Sequence, residues 1–475
     1  MAIPTAALAE RSVKKKVDAP RGPVLAVVSL SKQRIHIYGS AGLLAESRVS
    51  TGMAGFRTPP GVFTVLEKSR YHFSNIYHGA PMPYMQRLTW SGIALHGGVV
   101  PGYPASHGCV RLPHSFAPEL FGITGLGTRV VVTPHDPVAS PIEHVRLPAP
   151  RLLPLPPGVG EPAGAELATA PGGPVNDAGA QLTLPKLLNP VERLKAMRTF
   201  IAKDAAEKTR WAKAAAEAAA DKADEARRAT AALRDAEQAL AQARRRHENA
   251  VKTAETALAK AAADAASDAV VTAAERAREA LTAIEAELAA AERRTEEARL
   301  IAAVALEDSA AAAAAVIETE HARREAATDL KLAEKAEAPI SILVSRKAGK
   351  IFVRQAWMPI YEAPVTFTDT GPSLGTHVYL AVGPATDGET MNWLSVSLPA
   401  SAPEPPRRQR GKAKAPVSAP ASETAASVLA RFELPAATKR FIEERLWTGA
   451  TLIVSDEGTS PRETGLHTDF ILLPR

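Results

Sequence analysis

Hydrophobic positions along the chain change period three times, and each change marks a different kind of structure. From about Gly22 to Asp136 they gather in short β-branched or aromatic runs broken by turns. Val24-Leu25-Ala26-Val27-Val28-Ser29 and Arg34-Ile35-His36-Ile37-Tyr38 flank Ser31-Lys32-Gln33, the pattern of two strands and their connection. Thr58-Pro59-Pro60-Gly61 is turn chemistry, Val62-Phe63-Thr64-Val65 follows as a strand, and Arg129-Val130-Val131-Val132-Thr133 closes the unit. The pattern predicts a mainly β domain over residues 22–138.

Between about Pro137 and Pro185 proline, glycine and alanine dominate and core-forming residues are few, so residues 139–186 are expected to be a linker. A helical period then takes over across residues 187–338. From Val191 to Ala338 there is neither glycine nor proline, and the strong helix formers Ala, Glu, Lys and Arg prevail. One straight helix of that length would reach about 220 Å. Its apolar seam is thin: Leu233 and Leu240, Val251 and Leu258, then Leu281, Ile284 and Leu288, with alanine filling most positions between. Asp264-Ala265-Ala266-Ser267-Asp268 is the least helix-committed stretch and lies near the midpoint, so an antiparallel hairpin turning there is expected. Such a coiled coil serves most simply as a spacer or a self-association arm.

Strand-like runs return in residues 339–475, interrupted by a Pro/Arg/Lys-rich insertion at 400–424. Four of them echo the first domain in order. Ile342-Leu343-Val344-Ser345 matches Ala26-Val27-Val28-Ser29, and Gly349-Lys350-Ile351-Phe352-Val353 matches Gln33-Arg34-Ile35-His36-Ile37. Trp393-Leu394-Ser395-Val396-Ser397-Leu398 resembles Trp90-Ser91-Gly92-Ile93-Ala94-Leu95. Leu434-Pro435 through Val454 resembles Leu112-Pro113 through Val132. A degenerate duplicate of the first β domain is expected, with Pro399 standing in place of His96 and Arg431 in place of Cys109. The whole chain is then a multidomain α+β protein: a tail at 1–21, two mainly β domains, and a long helical hairpin.

Aromatic residues make up 5% of the 475 positions, and the formal net charge is +6. A basic balance tolerates anionic partners such as wall polymers. No aromatic-interleaved basic motif accompanies it, so nucleic acid is not an expected partner. The run Arg407-Arg408-Gln409-Arg410-Gly411-Lys412-Ala413-Lys414 is read as a solvated linker. No uninterrupted apolar run approaches the roughly 18 residues of a membrane span. The first residues lack a charged n-region and an h-region, although Ala7-Leu8-Ala9 has the small-x-small form of a cleavage site.

The chemistry gathers around the single cysteine. Cys109 sits in Ser106-His107-Gly108-Cys109-Val110-Arg111-Leu112, downstream of Leu95-His96-Gly97-Gly98. Only a thiolate is strongly nucleophilic, and a nearby base is needed to form it at neutral pH. Residues two apart in an extended segment point the same way, which makes His107 one candidate base. His96 is the other, brought close by folding. Gly108 permits close backbone approach, and the amides around Gly108 and Cys109, with Ser106 beside them, are the candidate oxyanion site. Arg111 suits a bidentate grip on a carboxylate. His72, His78, His114 and His135 are read as surface or packing residues.

His96-Gly97 with Ser106-His107-Gly108-Cys109-Val110-Arg111 resembles the catalytic motif of the L,D-transpeptidase (YkuD-type) family. Ser50-Thr51-Gly52, Thr58-Pro59-Pro60-Gly61-Val62-Phe63 and Met82-Pro83-Tyr84-Met85 match further family elements in the right order. The resemblance implies a β-sandwich-like domain that acts on bacterial peptidoglycan. Its cysteine attacks the carbonyl before the terminal D-alanine of a tetrapeptide stem, and a neighbouring stem amine resolves the thioester into a 3→3 cross-link. It also implies that His96 is the base, ahead of His107, and that Gly97 and Tyr84 join Arg111 as substrate contacts. Gly97-Gly98 stand where many members carry a hydroxyl residue, so an orienting group for His96 must be a backbone carbonyl. Periplasmic or cell-envelope location follows from the substrate, and no cofactor is expected.

Three rival readings differ in chemistry. His96, His107 and Cys109 are a possible three-ligand zinc set, though without a carboxylate base. A non-catalytic wall-binding scaffold would leave Cys109 vestigial. The same acyl-enzyme could instead pass the stem to an envelope protein or to water.

Overall fold

The computed structural model describes residues 22–77, 79–157, 159, 186–264, 266–368, 371–398 and 423–473. β1 (Leu25–Ser29), β2 (Arg34–Gly39) and β3 (Gly42–Arg48) form an antiparallel meander. β4 (Gly61–Thr64) leads into a second sheet of four strands. These are β5 (Glu67–Ser69), β6 (Met85–Arg87), β7 (Ala94–Gly97) and β8 (Val110–Leu112), with β7 and β8 parallel. After α1 (Ala117–Ile123), β9 (Arg129–Thr133) returns to the first sheet, whose order is β3-β2-β1-β9-β4 with β1 and β9 parallel. Ala26, Val28, Ile35, Ile37, Phe63, Val130 and Val132 turn to one core with Leu95, Val110, Leu112 and Leu120. Leu25, Val27, Tyr38, Val62 and Val131 turn to another. All five residues of β1 are buried, which is why its sequence runs apolar without alternation.

The start of the expected linker, residues 139–146, is docked on the second β unit. β10 (Ser140–Ile142) pairs with a strand of the second β unit, Ala139 is buried, and the Arg146 guanidinium donates to the Phe432 carbonyl. Pro141 is tolerated because β10 is an edge strand. Such a short edge carries no hydrophobic alternation for a sequence to display.

Residues Thr199–Leu332 form a compact unit of their own. It comprises most of α2 (Pro190–Ala263) and α3 (Asp268–Ala336), two antiparallel helices whose break falls at residues 264–267. The pairs Lys222–Asp308, Arg246–Glu287 and Arg244–Glu292, at 3.1, 3.3 and 3.4 Å, fix the register. The seam is alanine: Ala212, Ala226, Ala243, Ala254, Ala274, Ala302 and Ala326 are buried, with Thr295 bonded across it to the Ala236 carbonyl. Leu258, expected on the seam, is half exposed. One 18-residue window of α3 is apolar enough by composition to cross a membrane, with mean hydropathy 1.9. Counting uninterrupted apolar residues misses it, because acidic residues such as Asp308 punctuate the alanine-rich stretch. Asp308 is held by Lys222 of the antiparallel helix.

The second β unit contains β11 (Ile340–Ser345), β12 (Lys350–Gln355), β13 (Met358–Pro364), β14 (Thr366–Phe367), β15 (Thr376–Pro384) and β16 (Met391–Leu398). α4 (Ala425–Leu429), β17 (Phe432–Glu433), α5 (Ala436–Glu443) and β18 (Thr451–Ser455) follow. Its sheet, β10-β16-β15-β18-β11-β12-β13, repeats the first in order and register. Leu25 lies opposite Arg129 on parallel strands, and Ser341 lies opposite Thr451. Gly61 pairs with Val132, and His377 with Val454. The Leu30 amide donates to Thr133 as Arg346 donates to Ser455, and Val49 donates to Gln33 as Val365 donates to Gly349. Ser50 bridges Arg111 as Thr366 pairs with Glu433, which places Arg431 at the position of Cys109.

One echo fails. Trp393–Leu398 lies in β16, beside β15 in the large sheet, whereas Trp90–Leu95 leads into β7 of the other sheet. The likeness came from strand composition, which unrelated strands share. The match of Pro399 to His96 loses its basis with it, and both Pro399 and the run 407–414 lie outside the described residues.

The two β units share a core. Leu25, Val27, Val62 and Val131 pack with Leu343, Val378, Val396, Ile453, Phe470 and Leu472. At this contact Arg129, 1% exposed, donates to Thr64 Oγ1, the Phe470 carbonyl, Ser341 Oγ, Thr451 Oγ1 and, at 2.6 Å, Asp469 Oδ2. Asp469→Ala would leave that guanidinium buried and unpaired, expected to cost about 3–5 kcal/mol. Urea unfolding read by amide exchange should give β1 and β11 one common midpoint, lowered together in the variant. Separate midpoints would contradict the shared core.

Candidate active site

The Ser106–Cys109 loop is shaped by polar groups from the start of the chain. The Ala105 and Ser106 amides donate to the Thr51 carbonyl, and the Met53 amide to the Ser106 carbonyl. Gln33 secures Thr51 in turn, donating to its Oγ1 at 2.7 Å and accepting from its amide at 2.9 Å. Thr58 Oγ1 accepts from the Gly52 amide at 2.9 Å and donates to the Gly108 carbonyl at 2.8 Å. A Cβ on Gly52 would sit 2.0 Å from the Phe56 carbonyl oxygen, so only glycine lets these segments close. Gly108 has φ +113, a conformation other residues rarely adopt. The Ser50-Thr51-Gly52 and Thr58 motifs are therefore the clamp of the cysteine loop.

Ser106 and Gly108, the expected oxyanion site, are tied into the loop in the resting structure. The Gly108 amide is committed to Ser106 Oγ at 3.2 Å, and that hydroxyl donates to the Cys109 carbonyl. Both atoms are spent on loop geometry.

Cys109 is half-buried, and its thiol donates to the Gly92 carbonyl at 3.5 Å. Burial pushes the thiol pKa up, while a hydrogen bond from the Ala94 backbone and the charges of Arg111 and Arg87 pull it down; burial dominates. His96 is buried at the end of β7, with Nδ1 2.9 Å from the Gly97 carbonyl. A carbonyl only accepts, so Nδ1 carries the proton and the Nε2 lone pair is left to act as base. Burial lowers the His96 pKa, against the Gly97 bond; Arg111, His114 and His72 lower it further. At rest the pair is a neutral thiol and a neutral imidazole. Gly97 is closely packed: a Cβ would lie 3.2 Å from both Ala117 Cβ and Pro83 Cγ, so those neighbours would have to give way.

His107 is placed differently. Its exposed ring lies between Phe56 and Tyr77, with centroids 4.7 and 4.9 Å away. His96, His107, Cys109 and Arg111 all line one cavity of about 750 Å³. Among the described residues no three His, Cys, Asp or Glu side chains gather closely enough to hold a metal, so the zinc set is not assembled. Tyr84, an expected substrate contact, is not among the cavity-lining residues: its half-buried ring packs edge-on against Phe121 at 5.7 Å, beside the core.

His72 and His114, read from sequence as surface residues, line the cavity, as do Tyr77, Met82 and Arg87. No local signal marks them, because β6, β7 and the loop before β6 meet the cysteine loop only in the folded chain. Exposed His135 lies outside the cavity, and His78 outside the described residues.

Residues 23–132 match the family of the L,D-transpeptidase catalytic domain, YkuD. That stretch runs from β1 into β9 and holds every cavity residue named above. An L,D-transpeptidase from Stackebrandtia nassauensis is 27% identical, with 26% of this chain and 62% of that one covered and a TM-score of 0.23. For one from Enterococcus faecium the values are 28%, 23%, 49% and 0.22. For one from Xylanimonas cellulosilytica they are 27%, 24%, 63% and 0.21. The chain thus spans less than two thirds of the length of these relatives. No curated protein matches it.

Alkylation of the folded protein by iodoacetamide should rise with pH through a midpoint above the ordinary thiol value of 9.0. A midpoint below that value would show that the cationic neighbours outweigh burial.

Proposed function

We propose that the protein is a cysteine L,D-transpeptidase acting on peptidoglycan stem peptides. One observation carries this reading. Within the matched domain, Cys109 and a His96 held by Gly97 with its Nε2 lone pair available open onto the same cavity, lined also by Arg111 and Arg87.

In the first half-reaction His96 Nε2 takes the thiol proton as Sγ attacks the carbonyl that precedes the terminal D-alanine. A C–S bond forms, the C–N bond breaks, and the imidazolium returns its proton to the departing D-alanine amine. In the second, a stem amine attacks the thioester and gives a proton to His96. The amide forms, and the thiol is regenerated as the sulfur leaves. A raised thiol pKa makes this base assistance necessary, since little thiolate exists at rest. Arg111 and Arg87 supply positive charge for the carboxylates of the stem. Such substrates place the enzyme in the cell envelope, outside the cytoplasm.

Incubation with a carbapenem should add the mass of one drug molecule to the protein, located at Cys109 and absent from Cys109→Ala. His96→Ala should slow this acylation by roughly 10²–10⁴-fold. Acylation unaltered in His96→Ala but lost in His107→Ala would transfer the role of base to His107.

A further inference from the structure

The C-terminal segment that follows β18 crosses to the first β unit and completes it. Val62 and Leu472 exchange both backbone hydrogen bonds at 2.9 Å. A Cβ on Gly61 would sit 2.3 Å from the Leu472 carbonyl oxygen, so glycine is what lets the segment approach. Ile471 enters the core of the first unit. The segment is closed on itself by bonds from the Ser460 amide to the Ile471 carbonyl and from the Ile471 amide to Thr464 Oγ1.

Two of its side chains reach the turn before β7. Glu463, 5% exposed, accepts from the Trp90 amide at 2.6 Å and, more weakly, from the Ser91 amide at 3.4 Å. Thr468 Oγ1 accepts from the Trp90 indole at 3.0 Å. That turn ends in the two backbone groups that meet the sulfur: the Gly92 carbonyl, which accepts from the thiol, and the Ala94 backbone, which bonds to it. Gly92 stands at φ +110, a conformation that other residues rarely adopt.

We propose that Glu463 is a positioning residue for Cys109, acting through the Trp90–Ala94 turn, so that the C-terminal segment of the duplicated half tunes the nucleophile of the first. The proposal rests on the reading of Cys109 as the nucleophile, and it places a determinant of reactivity more than 300 residues away in sequence, outside the matched domain. Without the Glu463 carboxylate the turn keeps the Thr468 bond and its internal bonds to Thr89, but the Trp90 and Ser91 amides lose their anchor. The sulfur stays buried, and its hydrogen bond from the Ala94 backbone is misaligned.

The test compares Glu463→Ala, Glu463→Gln and Thr468→Val in the full-length protein, reading iodoacetamide alkylation against pH and carbapenem acylation at Cys109. In Glu463→Ala the alkylation midpoint should move upward, and acylation should slow roughly 10- to 100-fold. Glu463→Gln keeps an acceptor oxygen for the two amides and should restore most of both. If Glu463→Ala does not fold, Thr468→Val decides: an upward midpoint supports the proposal, and a wild-type profile overturns it. A wild-type profile in a folded Glu463→Ala also overturns it, as does a Gln variant no better than Ala. Alkylation reads the sulfur whatever the substrate. A protein that shows these shifts but processes no stem peptide keeps the positioning role and loses the transpeptidase assignment.

Discussion

The contact of Arg129 with Asp469 is the constraint around which the β architecture is arranged. A guanidinium taken out of water is tolerable only when its charge is paired and its donors are occupied. Here Asp469 supplies the charge, and Thr64, Ser341, Thr451 and the Phe470 carbonyl take most of the remaining donors. These partners come from both β units and from the C-terminal segment, so the network exists only when all three are in place. The same positions, Arg129 and Leu25 in one unit and Thr451 and Ser341 in the other, are equivalent by register. The two copies thus meet across matching strands, and one has put a charged side chain where the other has a hydroxyl.

The cysteine position of the second copy is occupied in a similar way. Arg431, at the cysteine position, is buried and paired with Glu423, and it donates to the Pro372 carbonyl at 2.9 Å. A buried ion pair thus stands where the first copy has its thiol. In the first copy burial acts the other way, raising the thiol pKa and lowering that of His96. Burial favours the neutral form of each, and in the proposed reaction that leaves proton transfer to the moment of attack.

Legibility in the sequence tracked how local each signal was. β1 and β9 were readable because both of their faces are covered and their sequences run apolar throughout. The equivalence of Arg431 to Cys109 was readable through the Leu-Pro step that follows each. The turn of the hairpin was readable because it is the one stretch where helix formers thin out. The third echo misled because alternation specifies a strand and not its sheet. Residues 139–157 were invisible as structure, since an edge strand of three residues with a proline has no periodicity. Within the site, Cys109 and His96 stood out by type and spacing. His72, His114 and Arg87 join them only through the pairing of β6 with β7 and the folding of the flanking loops, and Glu463 meets Trp90 across 373 positions. The misplacement of Tyr84 has a similar cause, because a motif places a residue in sequence while packing against Phe121 decides where its ring goes.

The central claim is that Cys109 carries the stem as a thioester. It is tested most directly by incubating the protein with a tetrapeptide stem, without an amine acceptor, and quenching in acid for peptide mapping by mass spectrometry. The account predicts a tripeptide acyl group on the Cys109 peptide, formed together with an equivalent of free D-alanine and removed by neutral hydroxylamine. D-alanine release from Cys109→Ala at the wild-type rate, or turnover of the stem with Cys109 never modified, would contradict it.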